Sequence, residues 1–184
     1  MFDVWMSILR DVPGSVLWLA QANPHATANL SREAEARGVS AHRLRFAPRL
    51  ADYRAHLARY RRADLFLDTF PYGAHATAAE SLWSCCPVLT LAGETFASRV
   101  AGSLLRALDV PELVTTSLNQ YRETALHLAR NPGALQSLCT RLEAGRATSG
   151  VFDVKRFARA LESACVGMWN TYLAGAQAPA PVQR

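Results

Sequence analysis

The stretch LDTFPYGAHATAAESLW, residues 67–83, gathers Asp68, Thr69, Tyr72, His75, Thr77 and Glu80 around Pro71 and Gly73. It reads as the end of a strand, a loop and the start of a helix. The first turn of a helix leaves backbone N–H groups without intrahelical acceptors and carries about half a positive charge. Such a terminus suits an anion such as a diphosphate, and His75 can add a further donor. A purely local reading accounts for part of the same pattern. Thr77-x-x-Glu80 is a capping box, in which Thr77 caps the helix and Glu80 returns to the backbone. A capped helix needs no imidazole beside it, although His75 also fits as an ordinary loop histidine.

A second constellation is RLADYRAHLARYRR, residues 49–62. From Arg43 to Arg62 there are seven Arg and a single acid, Asp52. His56 and Arg59 are three apart and share a helix face. A solvated basic face is the plain reading. Nucleic acid is disfavoured, because Tyr53 and Tyr60 are the only aromatics among the charges apart from Phe46, and no recognition signature accompanies them. GETFASR, residues 93–99, is a third junction, where Gly93 permits a turn and Thr95 can cap a helix. It reads first as a structural corner. The chain has no D-x-D metal motif, Walker loop or G-x-S-x-G elbow. His25, His42 and His127 have no ligand-spaced partners, so no metal site is expected.

The elements that must hold these residues alternate. Apolar runs at 15–20, 43–47, 63–68 and 87–92 read as strands. Helical patterns at 2–12, 26–37, 51–62, about 75–85 and 95–108 separate or flank them. Strands that are apolar throughout imply burial on both faces, hence a parallel sheet with helices on either side. After Pro111 the alternation stops. Three helices follow, with caps expected at Ser117 and Asn131 and Pro132 in the first turn of the second. The end of the chain, 175–184, is rich in Ala and Pro and is expected to be disordered.

Composition narrows the class. With 184 residues, 50% apolar and 19% charged, the chain suits one soluble globular domain. Its net charge of +5 comes from a basic set that is all Arg except Lys155, which supplies many planar donors for phosphate or carboxylate. No run approaches the ~20 apolar residues of a membrane span. The N-terminus carries Asp3 and Asp11 without a leading positive cluster, which is unlike a signal peptide. A cytoplasmic location is therefore expected. Cys85, Cys86, Cys139 and Cys165 form no C-x-x-C pair. They read as small core residues in a reducing compartment, with metal or redox use the lesser reading.

SVLWL, RLRFAP, ADLFLDTFPYGAHATAAESLW, PVLTLAGETFASRVAGSLL, VPELV and MWNTYLAG occur in that order over residues 1–174. Together they resemble the C-terminal half of the catalytic region of the protein O-GlcNAc transferase family. The resemblance implies the GT-B architecture of two Rossmann-like halves, here one α/β half over residues 1–174 with a helical C-terminal segment. It implies UDP-GlcNAc in the interdomain cleft, Ser/Thr hydroxyls of proteins as acceptors, and inversion without a required metal or other cofactor. Carried over by motif, Pro48, Ala51 and Tyr53 would lie at the uracil, and His56 to Arg59 along the nucleotide. His75, Ala76 and Thr77 would hold the diphosphate, and Glu80 would accept from the ribose hydroxyls. No catalytic residue is carried over.

The chain departs from the family pattern at Ala76, where a hydroxyl residue is usual, and at Glu80, which is one methylene longer than the Asp of the animal enzymes. The SPINDLY-type fucosyltransferases share an LDTFPY loop but replace the His with a Thr-rich run, so His75 favours GlcNAc. The family's N-terminal catalytic half, its upstream helical repeats and a nucleotide-contacting Lys have no counterpart here. The expectation is thus the UDP-sugar-binding half of a glycosyltransferase that lacks its central first strand, leaving SVLWLA and ADLFLD without a shared neighbour. The alternative is a non-catalytic nucleotide-binding or interaction module.

Overall fold

The computed structural model describes residues 1–175. Of the expected disordered tail, all but Gly175 lies outside the described residues. The chain opens with helix α1 (Phe2–Asp11) and then alternates strand and helix: β1 (Leu17–Ala20), α2 (Pro24–Ala36), β2 (Leu44–Ala47), α3 (Tyr53–Tyr60), β3 (Phe66–Leu67), α4 (Ala76–Trp83), β4 (Val88–Leu91) and α5 (Val100–Ala107). Strand β5 (Val114–Thr115) and helices α6 (Leu118–Arg130), α7 (Pro132–Thr148) and α8 (Val154–Leu173) complete it. All strand pairs are parallel. The α/β class with parallel sheets flanked by helices, read from the sequence, is the class observed.

Several local expectations change. Residues 95–108 form a short 3-10 turn, Phe96–Ser98, and then α5, with Arg99 at the break. β5 falls between Pro111 and the first of the three expected helices, where no strand was expected. Its two residues are too few to show a period, and they gain their place by pairing with Thr90 and Leu91 of β4. Ser117 caps α6 by accepting from the Gln120 N–H at 3.1 Å. Asn131 stands at the start of α7 without capping it, because its amide donates back to the His127 carbonyl at 2.7 Å. Burial on both faces holds for β4, whose four residues are all buried. It fails for β1, where Trp18 and Ala20 alternate outward.

The strands form two separate sheets, β1-β2 and β3-β4-β5. Neither β1 nor β3 has a second strand partner among the described residues. α1 joins the two units. Ile8 is buried in the core built on β4, α5 and α6, with Val4, Trp5 and Val12 packed against it. Met6 and Leu9 are buried in a smaller core with Ala34, Val39 and Leu44, against which Phe2 and Trp5 pack. Burial at 6, 8 and 9 follows from one helix lying across two apolar surfaces. The Arg run is partly structural. Arg43 donates to the Ser15 and Val12 carbonyls and to the Ser15 hydroxyl at 2.7–2.8 Å, fixing the turn between α1 and β1.

α8 stands apart from both cores. None of its 20 residues is buried, and Val154, Phe157, Leu161, Met168 and Tyr172 form an exposed apolar stripe at helical spacing. No helix among the described residues is long and apolar enough to cross a membrane.

Candidate functional site

At the carboxyl end of β3 the chain turns into the loop 68–75, whose geometry is set by Asp68. This side chain is 1% exposed, so both carboxylate oxygens need donors. Oδ1 accepts from the backbone N–H groups of Thr69 (2.8 Å) and Ala74 (2.7 Å), and Oδ2 accepts from the Thr90 hydroxyl (2.7 Å). The Asp68 carbonyl accepts from the fully buried Tyr121 hydroxyl at 3.0 Å, and Trp5 Nε1 donates to that hydroxyl at 3.4 Å. Burial pushes the Asp68 carboxyl up, opposed first by the Thr90 hydroxyl and then by the two N–H groups. Thr90 thereby explains the one polar residue of the apolar run VLTL.

A second loop, 92–99, is locked against the first. Gly73 donates to the Ala97 carbonyl at 3.1 Å, and a Cβ at Gly73 would stand 3.0 Å from that carbonyl oxygen and 3.1 Å from Asp68. A Cβ at Gly93 would fall 2.6 Å from the Ser98 hydroxyl and 2.9 Å from the Phe70 ring. Thr95 caps the short 3-10 turn as expected, accepting from the Ser98 N–H at 3.3 Å. Both glycines are thus fixed by close approach.

His75 occupies the N-terminal cap position of α4. Its ring stacks on Tyr72, meets Phe96 edge-on, and lies with Nε2 3.3 Å from the Ala97 carbonyl. A carbonyl can only accept, so Nε2 is the donor in this contact; Nδ1 then accepts in the neutral ring and donates only in the protonated one. No side chain caps α4. The first intrahelical bond runs from Ala79 to the His75 carbonyl, and the exposed N–H groups of Ala76 and Thr77 find no acceptor among the described residues. These residues, with Asp68, Thr69 and Tyr72, line a cleft of about 450 Å³.

Glu80, one turn further on, does not close a capping box. Its carboxylate turns toward α3, where Oε1 accepts from the Tyr53 hydroxyl (3.2 Å) and Oε2 from the Tyr60 hydroxyl (3.3 Å). His56 Nε2 lies 3.2 Å from Oε2. Tyr53, His56 and Tyr60 stand at i, i+3 and i+7, so one face of α3 presents three polar rings to one carboxylate. Three of about four acceptor sites are taken, which leaves one. Asp52 caps α3 by accepting from the Arg54 and Ala55 N–H groups, and Arg59 donates to the Pro48 carbonyl at 2.7 Å. Pro48, Ala51, Tyr53, His56 and Arg59 therefore lie together on α3 and the loop before it. His75, Ala76, Thr77 and Glu80 lie on α4, and Glu80 joins the two groups. Sequence reading passed over the anchoring roles of Asp68, Thr90 and Tyr121. A polar residue inside each of two apolar strands was the available signal for the first two.

The profile of glycosyl transferase family 41 matches residues 1–161. The chain belongs to this family. A probable UDP-N-acetylglucosamine–peptide N-acetylglucosaminyltransferase SEC from Arabidopsis thaliana is 36% identical over 176 residues, covering 95% of this chain and 18% of the relative. The SPINDLY protein of Oryza sativa subsp. japonica, with the same probable activity in its name, is 38% identical over 97% of this chain and 19% of its own length. A solved mutant of the Thermobaculum terrenum O-GlcNAc transferase superposes with a TM-score of 0.85 at 34% identity. It covers 91% of this chain and 33% of that structure. The chain thus spans under a fifth of these curated relatives and a third of the solved chain.

Two outcomes test the site's construction. Asp68→Ala leaves the buried Ala74 N–H and Thr90 hydroxyl without an acceptor, at about 1–3 kcal/mol each, so urea unfolding should show a loss of about 2 kcal/mol or more. Asp68→Asn keeps the Oδ1 acceptor and can donate to the Thr90 hydroxyl, so its loss should be much smaller. The second outcome concerns Tyr60, whose hydroxyl is pushed up to about 12 by burial and then by Glu80. A folded-state value above the unfolded one, about 10, holds its full stabilising contribution below pH 10 and loses it as pH rises toward 12. In ultraviolet difference titration, Tyr60→Phe should remove a phenolate step near pH 12, and a missing step near pH 10 would refute the burial.

Proposed function

We propose that this chain is the donor-binding part of an inverting, metal-independent protein O-glycosyltransferase that uses UDP-GlcNAc and glycosylates Ser or Thr hydroxyls. The observation that carries the reading is the start of α4. Ala76 and Thr77 hold open N–H groups beside an imidazole whose Nδ1 adds a donor when the ring is protonated, in a cleft at the carboxyl end of a parallel strand. A diphosphate fits such a place, because the N–H groups and the helix's partial positive charge need an anionic partner. As the bond between sugar and UDP breaks, charge grows on the leaving phosphate, and donors already in position stabilise it without rearranging. Ala76 offers no hydroxyl, so the backbone makes the contact there.

The α3 cluster suits the nucleoside. Glu80 has one acceptor site left for a ribose hydroxyl, and Tyr53, His56 and Tyr60 hold its carboxylate in place. In this reading Pro48, Ala51 and Tyr53 flank the uracil, and Arg59, held by Pro48, borders the nucleotide. Membership of family 41 and the activity named for the relatives support UDP-GlcNAc as the donor.

The acceptor protein, and the group that takes its hydroxyl proton, belong to the rest of a longer protein, as the small share of the relatives' length suggests. The same reading gives the vacant edges of β1 and β3 a further parallel strand from outside the chain. α1 would then be the crossover from that strand to β1, which accords with its packing on both cores. In this reading the exposed stripe of α8 packs on that remainder, and the reaction is cytoplasmic.

Isothermal titration with UDP should show binding, weakened by about 1–2 kcal/mol in His75→Ala if the imidazole meets phosphate through a charge-assisted hydrogen bond. Equal affinity in the two proteins would remove His75 from the site.

A further inference from the structure

A second cleft, of about 460 Å³, lies where the turn between α4 and β4 meets α7 and the segment after α3. Three of the four cysteines line it: Cys85 and Cys86 from the turn, and Cys139 from α7. All are free thiols. Cys86 is buried, and Cys85 and Cys139 are half-buried, which departs from the plain core role expected of adjacent cysteines.

The backbone makes Cys85 unusual. α4 ends with the Cys85 N–H on the Leu82 carbonyl at 3.0 Å and the Cys86 N–H on the Ser81 carbonyl at 2.9 Å. That pair of bonds is the Schellman ending, whose left-handed position glycine normally fills. Here Cys85 occupies it at φ 62°, a conformation that strains any residue with a Cβ. The chain thus keeps a thiol at a position where glycine would sit without strain. α7 is fastened to the same end of α4. Arg146 donates to the Trp83 carbonyl at 3.1 Å and lies over the Trp83 ring, while Trp83 packs edge-on against Phe152. Cys139 sits between the buried Leu138 and the α7 turn carrying the buried Leu142. Burial, then the nearby Cys85, push the Cys139 thiol up. Cys86, 2% exposed, is the least accessible of the three to a reagent, and burial also drives its thiol up to about 11.

We propose that Cys85 and Cys139 are an oxidisable pair, and that their disulfide ties α7 to the end of α4 opposite the nucleotide-facing turn. The reaction needs a small-molecule disulfide such as oxidised glutathione. The Cys85 thiolate attacks one sulfur of the reagent, forming a mixed disulfide and releasing one thiolate. Cys139 loses its proton and attacks the Cys85 sulfur, closing the intrachain bond and releasing the second thiol. Two cysteine thiols and one reagent disulfide become one protein disulfide and two reagent thiols. α4 carries Ala76 and Thr77 at its other end, so the bond would fix the element on which the cleft at β3 is built.

The test uses the whole chain, treated with oxidised glutathione, quenched with N-ethylmaleimide and mapped by mass spectrometry. The expected product is a single chain that, its maleimide adducts apart, is lighter by two hydrogens. Its tryptic peptides 63–99 and 131–141 should be joined through Cys85 and Cys139, with Cys86 alkylated. Cys85→Gly places the usual residue in the left-handed position, so it should fold and melt no lower than the parent while losing the link. Glutathione found only on Cys165, glutathione retained on Cys85 without closure, or a link that persists in Cys85→Gly through Cys86 would each overturn the proposal.

Discussion

A carboxylate buried at the end of a short strand is the constraint from which the site follows. β3 contributes only two ladder residues, so its own pairing cannot hold the loop that leaves it. Asp68 supplies what is missing. One oxygen gathers the two ends of the 69–74 segment, the other is tied to Thr90 in the neighbouring strand, and its carbonyl is tied to Tyr121 on α6. With both ends of that segment fixed, α4 starts where its first N–H groups open into the cleft. Gly73 and Gly93 are small because the two loops are drawn this close. An unpaired buried carboxylate would be costly, whereas one with both oxygens engaged rigidifies its surroundings.

The fold distributes work between its two cores. The larger core, under β3-β4-β5, holds the Asp68 network and the start of α4 that lines the cleft. The segment after β2 brings the rings of α3 to Glu80, so the proposed nucleoside and diphosphate contacts meet on one short helix. α1 holds the two units together while β1 and β3 keep open edges. Open parallel edges and an uncovered apolar helix are features that a longer protein would complete.

Regular alternation of apolar runs and helical patterns was legible in the sequence, because burial of a strand on both faces and an amphipathic helix leave distinct periods. So were the caps at Thr95 and Ser117, which depend on neighbours two or three residues away. β5 was not, since two residues show no period and their pairing is decided by β4. The partners of Glu80 were also hidden. Thr77-x-x-Glu80 satisfies a local rule, but the competing donors lie 20–27 residues earlier on α3, and three of them outweigh one backbone N–H. His56 and Arg59 share a face by spacing, yet His56 turns to Glu80 and Arg59 to the Pro48 carbonyl. Local spacing shows which residues can meet, and tertiary packing selects which do.

In the proposed function the open N–H groups at the start of α4, held by Asp68, receive the phosphates of a nucleotide. Amide-resolved NMR during titration with UDP tests it most directly. The Ala76 and Thr77 amides should move first and furthest, with the α3 face around Tyr53 and His56 following, while the amides around Cys139 stay in place. Saturable binding that leaves Ala76 and Thr77 unmoved would contradict it.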